Sequence, residues 1–160
     1  MLFFGHRKTN TTPELKNKIR QSVENLIINR DVSIFLFGSK SEFDELCYEV
    51  ITETKEKYPY IVRVCVRAEY PYIDIDYKNY ILQRYEYTYF PPQILNAGKA
   101  AYIKRNYEMI DKSSYSVIYY NKSYVPKTHN NHLINYKPKS GTGLAYEYAK
   151  RKGLHIINLF

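Results

Sequence analysis

The sequence predicts one α/β domain with a largely parallel sheet and helices on its faces, and three observations lead there. Short apolar runs alternate with segments whose apolar residues recur at helical spacing. Three glycine turns fall where such elements meet: Gly5-His6-Arg7, Gly38-Ser39-Lys40-Ser41 and Ser140-Gly141-Thr142-Gly143. The length, 160 residues, suits a single domain, residues 1–160, with a sizeable core.

The elements follow in order. A first strand over residues 2–5 ends at the Gly5 turn. Thr12-Pro13-Glu14 then starts a helix: Thr12 as cap, Pro13 at the first position, an acid in the first turn. Leu15, Ile19, Val23, Leu26 and Ile27 give that helix one apolar face. A second strand, 32–37, leads into Ser41-Glu42-Phe43-Asp44, a capping box with Asp in place of Glu. The stripe Phe43, Leu46, Cys47, Val50 and Ile51 ends before Pro59, and a third strand follows at 61–66. Residues 68–92 hold eight aromatics and a closing Pro91-Pro92; they read as a loop with one short helix. A helix is expected from Gln93 to about Lys112, then a fourth strand at 115–120. Residues 121–139 lack periodicity and read as a mobile surface loop. The last helix opens near Thr142 and stops at Gly153, ahead of a fifth strand at 155–159.

Composition narrows the function classes. Hydrophobic content of 44% with 25% charged residues is a globular balance. No apolar run is long enough for a membrane span, and Gly5-His6-Arg7-Lys8 interrupts the N-terminal run too early for a secretory leader. Cytoplasm is the expected compartment, with Cys47 and Cys65 as small buried hydrophobes. The formal charge of +8 suits a phosphorylated small molecule as well as nucleic acid. The basic residues, however, are scattered among acidic neighbours and helix C-termini, and no strand interleaves aromatic with basic residues. Nucleic acid and membranes are therefore not expected partners. No cofactor is expected, and none of the residues suggests a metal centre: His129 and His132 lack a third ligand.

The glycine turns point to a pocket of nucleotide type. Parallel strands bring their carboxyl ends to one edge, where open α/β sheets bind ligands. Glycines there let backbone N–H groups approach an anion, and a helix N-terminus adds a favourable dipole. Gly5, Gly38, Ser39, Ser140, Gly141 and Thr142 are the expected donors to phosphate, with Arg105 and Arg7 as charge-assisted ones. Arg105 has the alternative of a surface pair with Glu108 or Asp111. His6 reads either as a general base or as a structural histidine bonded to backbone. Arg67 and Glu69 follow a strand end and read either as site residues or as a pair with each other. Tyrosines of 68–92 are candidates to stack on a base.

Four pieces follow one another along the chain: Phe4-Gly5-His6-Arg7, Phe37-Gly38-Ser39 with Phe43-Asp44, Arg105-Asn106-x-x-Met109-Ile110-Asp111-x-Ser113, and Ser140-Gly141-Thr142. In these pieces and their order the chain resembles the SLOG superfamily of Rossmann-like nucleotide-binding domains, most closely its YpsA-like branch. The resemblance implies a five-stranded doubly wound domain. Its glycine turns and Arg-Asn helix, with Asn106 and Met109, would line a site for a nucleotide or a nucleotide-derived sugar.

One departure bears on chemistry. Phosphoribohydrolase members carry Pro-Gly-Gly-x-Gly-Thr-x-x-Glu, whose glutamate is catalytic; aligned on Gly141-Thr142, this chain has Ala145 in its place. Glu147 lies two residues on, a rotation of roughly 200° away. The expectation is therefore a stand-alone, homo-oligomeric domain that senses or sequesters a nucleotide signal, resembling the ligand-sensing halves of prokaryotic immune effectors. The alternatives are cleavage of an N-glycosidic bond through Glu69 or Glu147, and binding of single-stranded nucleic acid.

Overall fold

The computed structural model describes residues 1–38, 41–124 and 140–160. Six strands form one sheet in the order β4-β3-β2-β1-β5-β6. They are β1 (Leu2–Gly5), β2 (Ile34–Phe37), β3 (Val62–Val66), β4 (Tyr87–Tyr89), β5 (Tyr115–Tyr119) and β6 (His155–Asn158). Every pairing is parallel. The expected doubly wound α/β architecture is observed, with one strand more than the five expected. The additional strand, β4, lies inside the aromatic stretch read as loop. Three residues give too short a run for alternation to register, and its partner β3 begins 25 positions upstream.

Helices α1 (Pro13–Arg30) and α2 (Glu42–Lys57) cover one face. Phe3, Phe35, Phe37 and Val117 point into that core, meeting Ile19, Val23, Phe43 and Val50. Phe3 lies 5.1 Å from Phe37 and 6.2 Å from Phe35, ring centre to centre. Full burial of such side chains contributes about 1.5–3 kcal/mol each. Helices α4 (Ala101–Asp111) and α5 (Gly141–Arg151) cover the other face. There Met109, Ile110, Ala145 and Ala149 pack on Leu2, Phe4, Leu36, Val64 and Ile118. Successive strand residues serve opposite faces, as a pleat requires. The short helix α3 (Ile75–Leu82) packs beside β4 and buries only Ile81.

The capping signals act as expected. Thr12 accepts the Leu15 amide at 3.2 Å, and Pro13 holds the first helical position. Ser41 accepts the Asp44 amide at 3.1 Å, while its hydroxyl bonds the Asp44 carboxylate. The helix expected from Gln93 begins only at Ala101, behind two single 3₁₀ turns at Pro92–Ile94 and Gly98–Ala100. Gly98 adopts a φ of +53°, a left-handed conformation that an α-helix cannot contain. Of the loop expected at 121–139, residues 121–124 form a turn and the remainder lies outside the described residues. Among the described residues no helix is long and apolar enough to cross a membrane.

Candidate functional site

All strands being parallel, the turns after β1, β2, β3 and β5 open on one edge of the sheet. Strand order reverses between β1 and β5: from β1 to β4 the strands are added outward on one side, β5 and β6 on the other. Such a switch point leaves a crevice between neighbouring strands, because their following helices depart to opposite faces.

Hydrogen bonds stitch the walls of this crevice. The Thr142 hydroxyl donates to Gly5 O at 2.8 Å, tying α5 to the end of β1. The His6 amide donates to Tyr119 O at 3.3 Å, and His6 Nε2 accepts the Asn121 amide at 2.9 Å. The His6 ring stacks on Tyr124 at 4.0 Å and lies 5.7 Å from Tyr120. At 3% exposure His6 is a core residue, and burial lowers its pKa below the ordinary 6.5. Because Nε2 accepts, the neutral ring carries its proton on Nδ1. That atom is buried and has no partner among the described residues. The structural reading of His6 is thus the one its geometry fits.

The glycine turns differ sharply in surroundings. A Cβ on Gly5 would lie 2.6–2.7 Å from Phe43, so this glycine admits the Phe43 ring to the sheet. A Cβ on Gly38 would lie 2.4–2.7 Å from the Arg105 guanidinium. Among the described residues nothing lies within 4 Å of such an atom on Gly141, and it is exposed. Ser140 caps α5 by accepting the Gly143 amide at 3.0 Å. The amides of Gly141 and Thr142, at the start of α5, have no helical acceptor. Ser39 lies outside the described residues, as do His129 and His132.

Arg105 comes from α4 and is only 2% exposed. Its Nη1 donates to Gly38 O and, at 3.1 Å, to Val66 O, joining the ends of β2 and β3. Its Nε donates to Asn106 Oδ1 at 3.0 Å. Burial lowers its pKa, and the charge of Asp44 opposes that fall. Two of its nitrogens are thereby spent on the protein. The alternative pairing with Glu108 or Asp111 is overturned. Glu108, itself largely buried, pairs with Lys112 at 2.8 Å and Asp111 with Lys152 at 2.7 Å, whereas the guanidinium donates to the ends of β2 and β3. Met109 is buried in the α4/α5 core and acts there as packing.

Arg67 and Glu69 do not pair with each other. Arg67 Nη1 donates to Tyr70 O, and the Glu69 carboxylate accepts the Tyr102 hydroxyl from the first turn of α4. Arg7 is exposed, and its carbonyl accepts the Glu42 amide at 3.2 Å. The predicted residues thus form two groups on one edge. Gly5, His6 and Thr142 meet at the switch point; Gly38, Arg105 and Asn106 meet at the ends of β2 and β3. Sequence reasoning passed over Tyr102 and Asn121 as site partners. Tyr102 stands three residues before Arg105, a helical spacing that could have flagged it; Asn121 carried no local signal.

Two concavities lie elsewhere. One, about 480 Å³, runs between the first turns of α1 and α2 and is lined by Lys16, Glu42, Glu45 and Glu49. Its acids disfavour a phosphate. The other, about 400 Å³, is at the opposite edge of the sheet, between Arg30, Tyr115 and His155. No protein-family model matches the chain, and no curated protein matches it in sequence.

Proposed function

We infer that this chain binds a nucleotide or nucleotide-derived sugar, with the phosphate at the first turn of α5, and senses or sequesters it without turnover. The observation that carries this reading is the open first turn of α5 beside the switch point between β1 and β5. Two amides there point out of the helix, the helix dipole favours an anion, and the absence of a Cβ at Gly141 allows close approach. The net charge of +8 favours an anionic ligand at longer range. The resemblance to the SLOG superfamily supports the same reading. Binding rather than hydrolysis follows from Ala145, which is packed in the α4/α5 core where hydrolases of that superfamily carry their glutamate.

The test is a thermal-shift and calorimetric screen against nucleoside monophosphates, cyclic nucleotides and ADP-ribose derivatives, because a ligand of the folded state raises its melting temperature. Gly141→Asp is the informative variant. It has room for a side chain and favours the helix N-terminus, so it folds, yet it sets a carboxylate where the phosphate would bind. Affinity is expected to fall by more than tenfold. Unchanged affinity in Gly141→Asp would remove the site. Release of free base that depends on Glu69 or Glu147 would replace binding by hydrolysis.

A further inference from the structure

The turn between β3 and α3 is built at a cost that the fold itself does not explain. Tyr70 has a φ of +54°, and the residue is 61% exposed. A bulky residue in the left-handed region is strained where glycine would not be. Arg67 fixes this conformation by donating to Tyr70 O, and its guanidinium packs 5.9 Å above the Phe90 ring. One face of the Tyr70 neighbourhood is closed by Tyr77, edge-on at 5.9 Å. An aromatic ring is thus held in water, in a strained conformation, at the edge where ligands bind.

Next to it a carboxylate is held with equal care. Glu69 Oε1 accepts the Tyr102 hydroxyl, and Oε2 has no donor among the described residues. That bond, above all, raises the Tyr102 pKa, so its hydroxyl stays a donor and keeps Glu69 in place. Tyr70 follows Glu69 directly in the chain, so ring and carboxylate leave the same turn. The Tyr102 ring lies 5.8 Å from the Arg105 guanidinium, which links this corner to the ends of β2 and β3. Tyr102 belongs to α4, which packs directly beside α5. Packed helices lie about 8–10 Å apart axis to axis, so the first turns of α4 and α5 are neighbours at the carboxyl edge of the sheet.

The geometry points to a base-recognition subsite at this corner: Tyr70 stacks on the base, and Glu69, positioned by Tyr102, accepts N–H groups from its edge. This rests on the reading that a nucleotide phosphate occupies the first turn of α5. A carboxylate selects a base with amino donors, guanine foremost, since its N1–H and N2–H₂ are adjacent. Uracil flanks its single N–H with two carbonyls, which the carboxylate repels. Stacking is indifferent to the base, because each has a π-face.

The test is calorimetric titration of the full chain with GMP, UMP and ribose 5-phosphate. Wild type is expected to prefer GMP to UMP by about tenfold or more, the effect of one charge-assisted hydrogen bond. Glu69→Gln and Tyr102→Phe abolish that preference and leave ribose 5-phosphate binding unchanged. Tyr70→Gly relieves the backbone strain, so it folds at least as well as wild type. It lowers affinity for both nucleotides by roughly tenfold, the scale of a lost stacking contact, without affecting ribose 5-phosphate. If Gly141→Asp abolishes binding but Glu69→Gln keeps the GMP to UMP ratio, the subsite is wrong and the phosphate site stands. If neither nucleotide nor sugar phosphate binds wild type, both readings fall.

Discussion

Gly38 and Gly141 stand at the same edge of the sheet, each at a junction between elements, and they have opposite surroundings. Gly38 is roofed by the Arg105 guanidinium, which takes the Gly38 carbonyl as acceptor. At Gly141, at the start of α5, none of the described residues comes within 4 Å of the same position. The missing side chain makes room in both cases, but at Gly38 the room is filled by the protein's own cation. A glycine at a strand end therefore marks close approach, and only the identity of the approaching group separates packing from ligand binding. Gly5, filled by Phe43, belongs with Gly38.

The largest effect that would break this comparison is at Gly38. Gly38→Ala forces the buried guanidinium off its two carbonyls, and the expected loss is about 3 kcal/mol in urea denaturation. In an Arg105→Ala background the same substitution should cost almost nothing, since the clash has gone. An equal cost in both backgrounds would show that Arg105 does not occupy the room above Gly38. Gly5→Ala should be destabilising on a similar scale, because the new methyl meets the Cβ as well as the ring of Phe43, a fully buried residue anchored in α2.

A smaller effect tests the switch point. His6 has a folded pKa below 6.5, so on acidification the unfolded chain takes up its proton first. Its contribution is complete above about pH 6.5 and is lost as pH falls toward the lower folded value. His6→Gln keeps an acceptor for the Asn121 amide but does not titrate. From about pH 7.5 to about pH 5.5, wild type should lose more in Tm than His6→Gln. Parallel Tm profiles would mean that His6 is not buried as neutral imidazole.

The smallest effect sharpens the contrast with Gly38. Gly141→Ala meets no atom of the described residues and improves helix propensity, so stability should change by at most about 0.5 kcal/mol, on the favourable side. Destabilisation on the scale of Gly38→Ala would show that this turn, too, is closed.

Much of the scaffold was legible because its signals are local. Thr12 and Ser41 cap helices with amides three residues away, and the stripes of α1 and α2 repeat within single turns. The edge strand β4 escaped because three residues among many tyrosines hold no period, and the helix from Gln93 was over-extended because Gly98 was not weighed as a breaker. The site was less legible. The switch point joins Gly5 to Thr142 across 137 positions and His6 to Asn121 across 115, and no short pattern encodes either bond.

By itself the sequence determined the alternation of strands and helices, their caps, and that glycine turns would gather at one edge, since periodicity, capping and the parallel rule act over a few residues. Only the tertiary structure decided which of those turns is open. Arg105 reaches Gly38 from 67 positions away, and its burial is fixed by how α4 settles on the sheet rather than by any neighbour in the chain. An arginine in a ligand-site pattern and an arginine that clasps two strand ends read identically in one dimension. They differ only in what surrounds the guanidinium, and packing sets that.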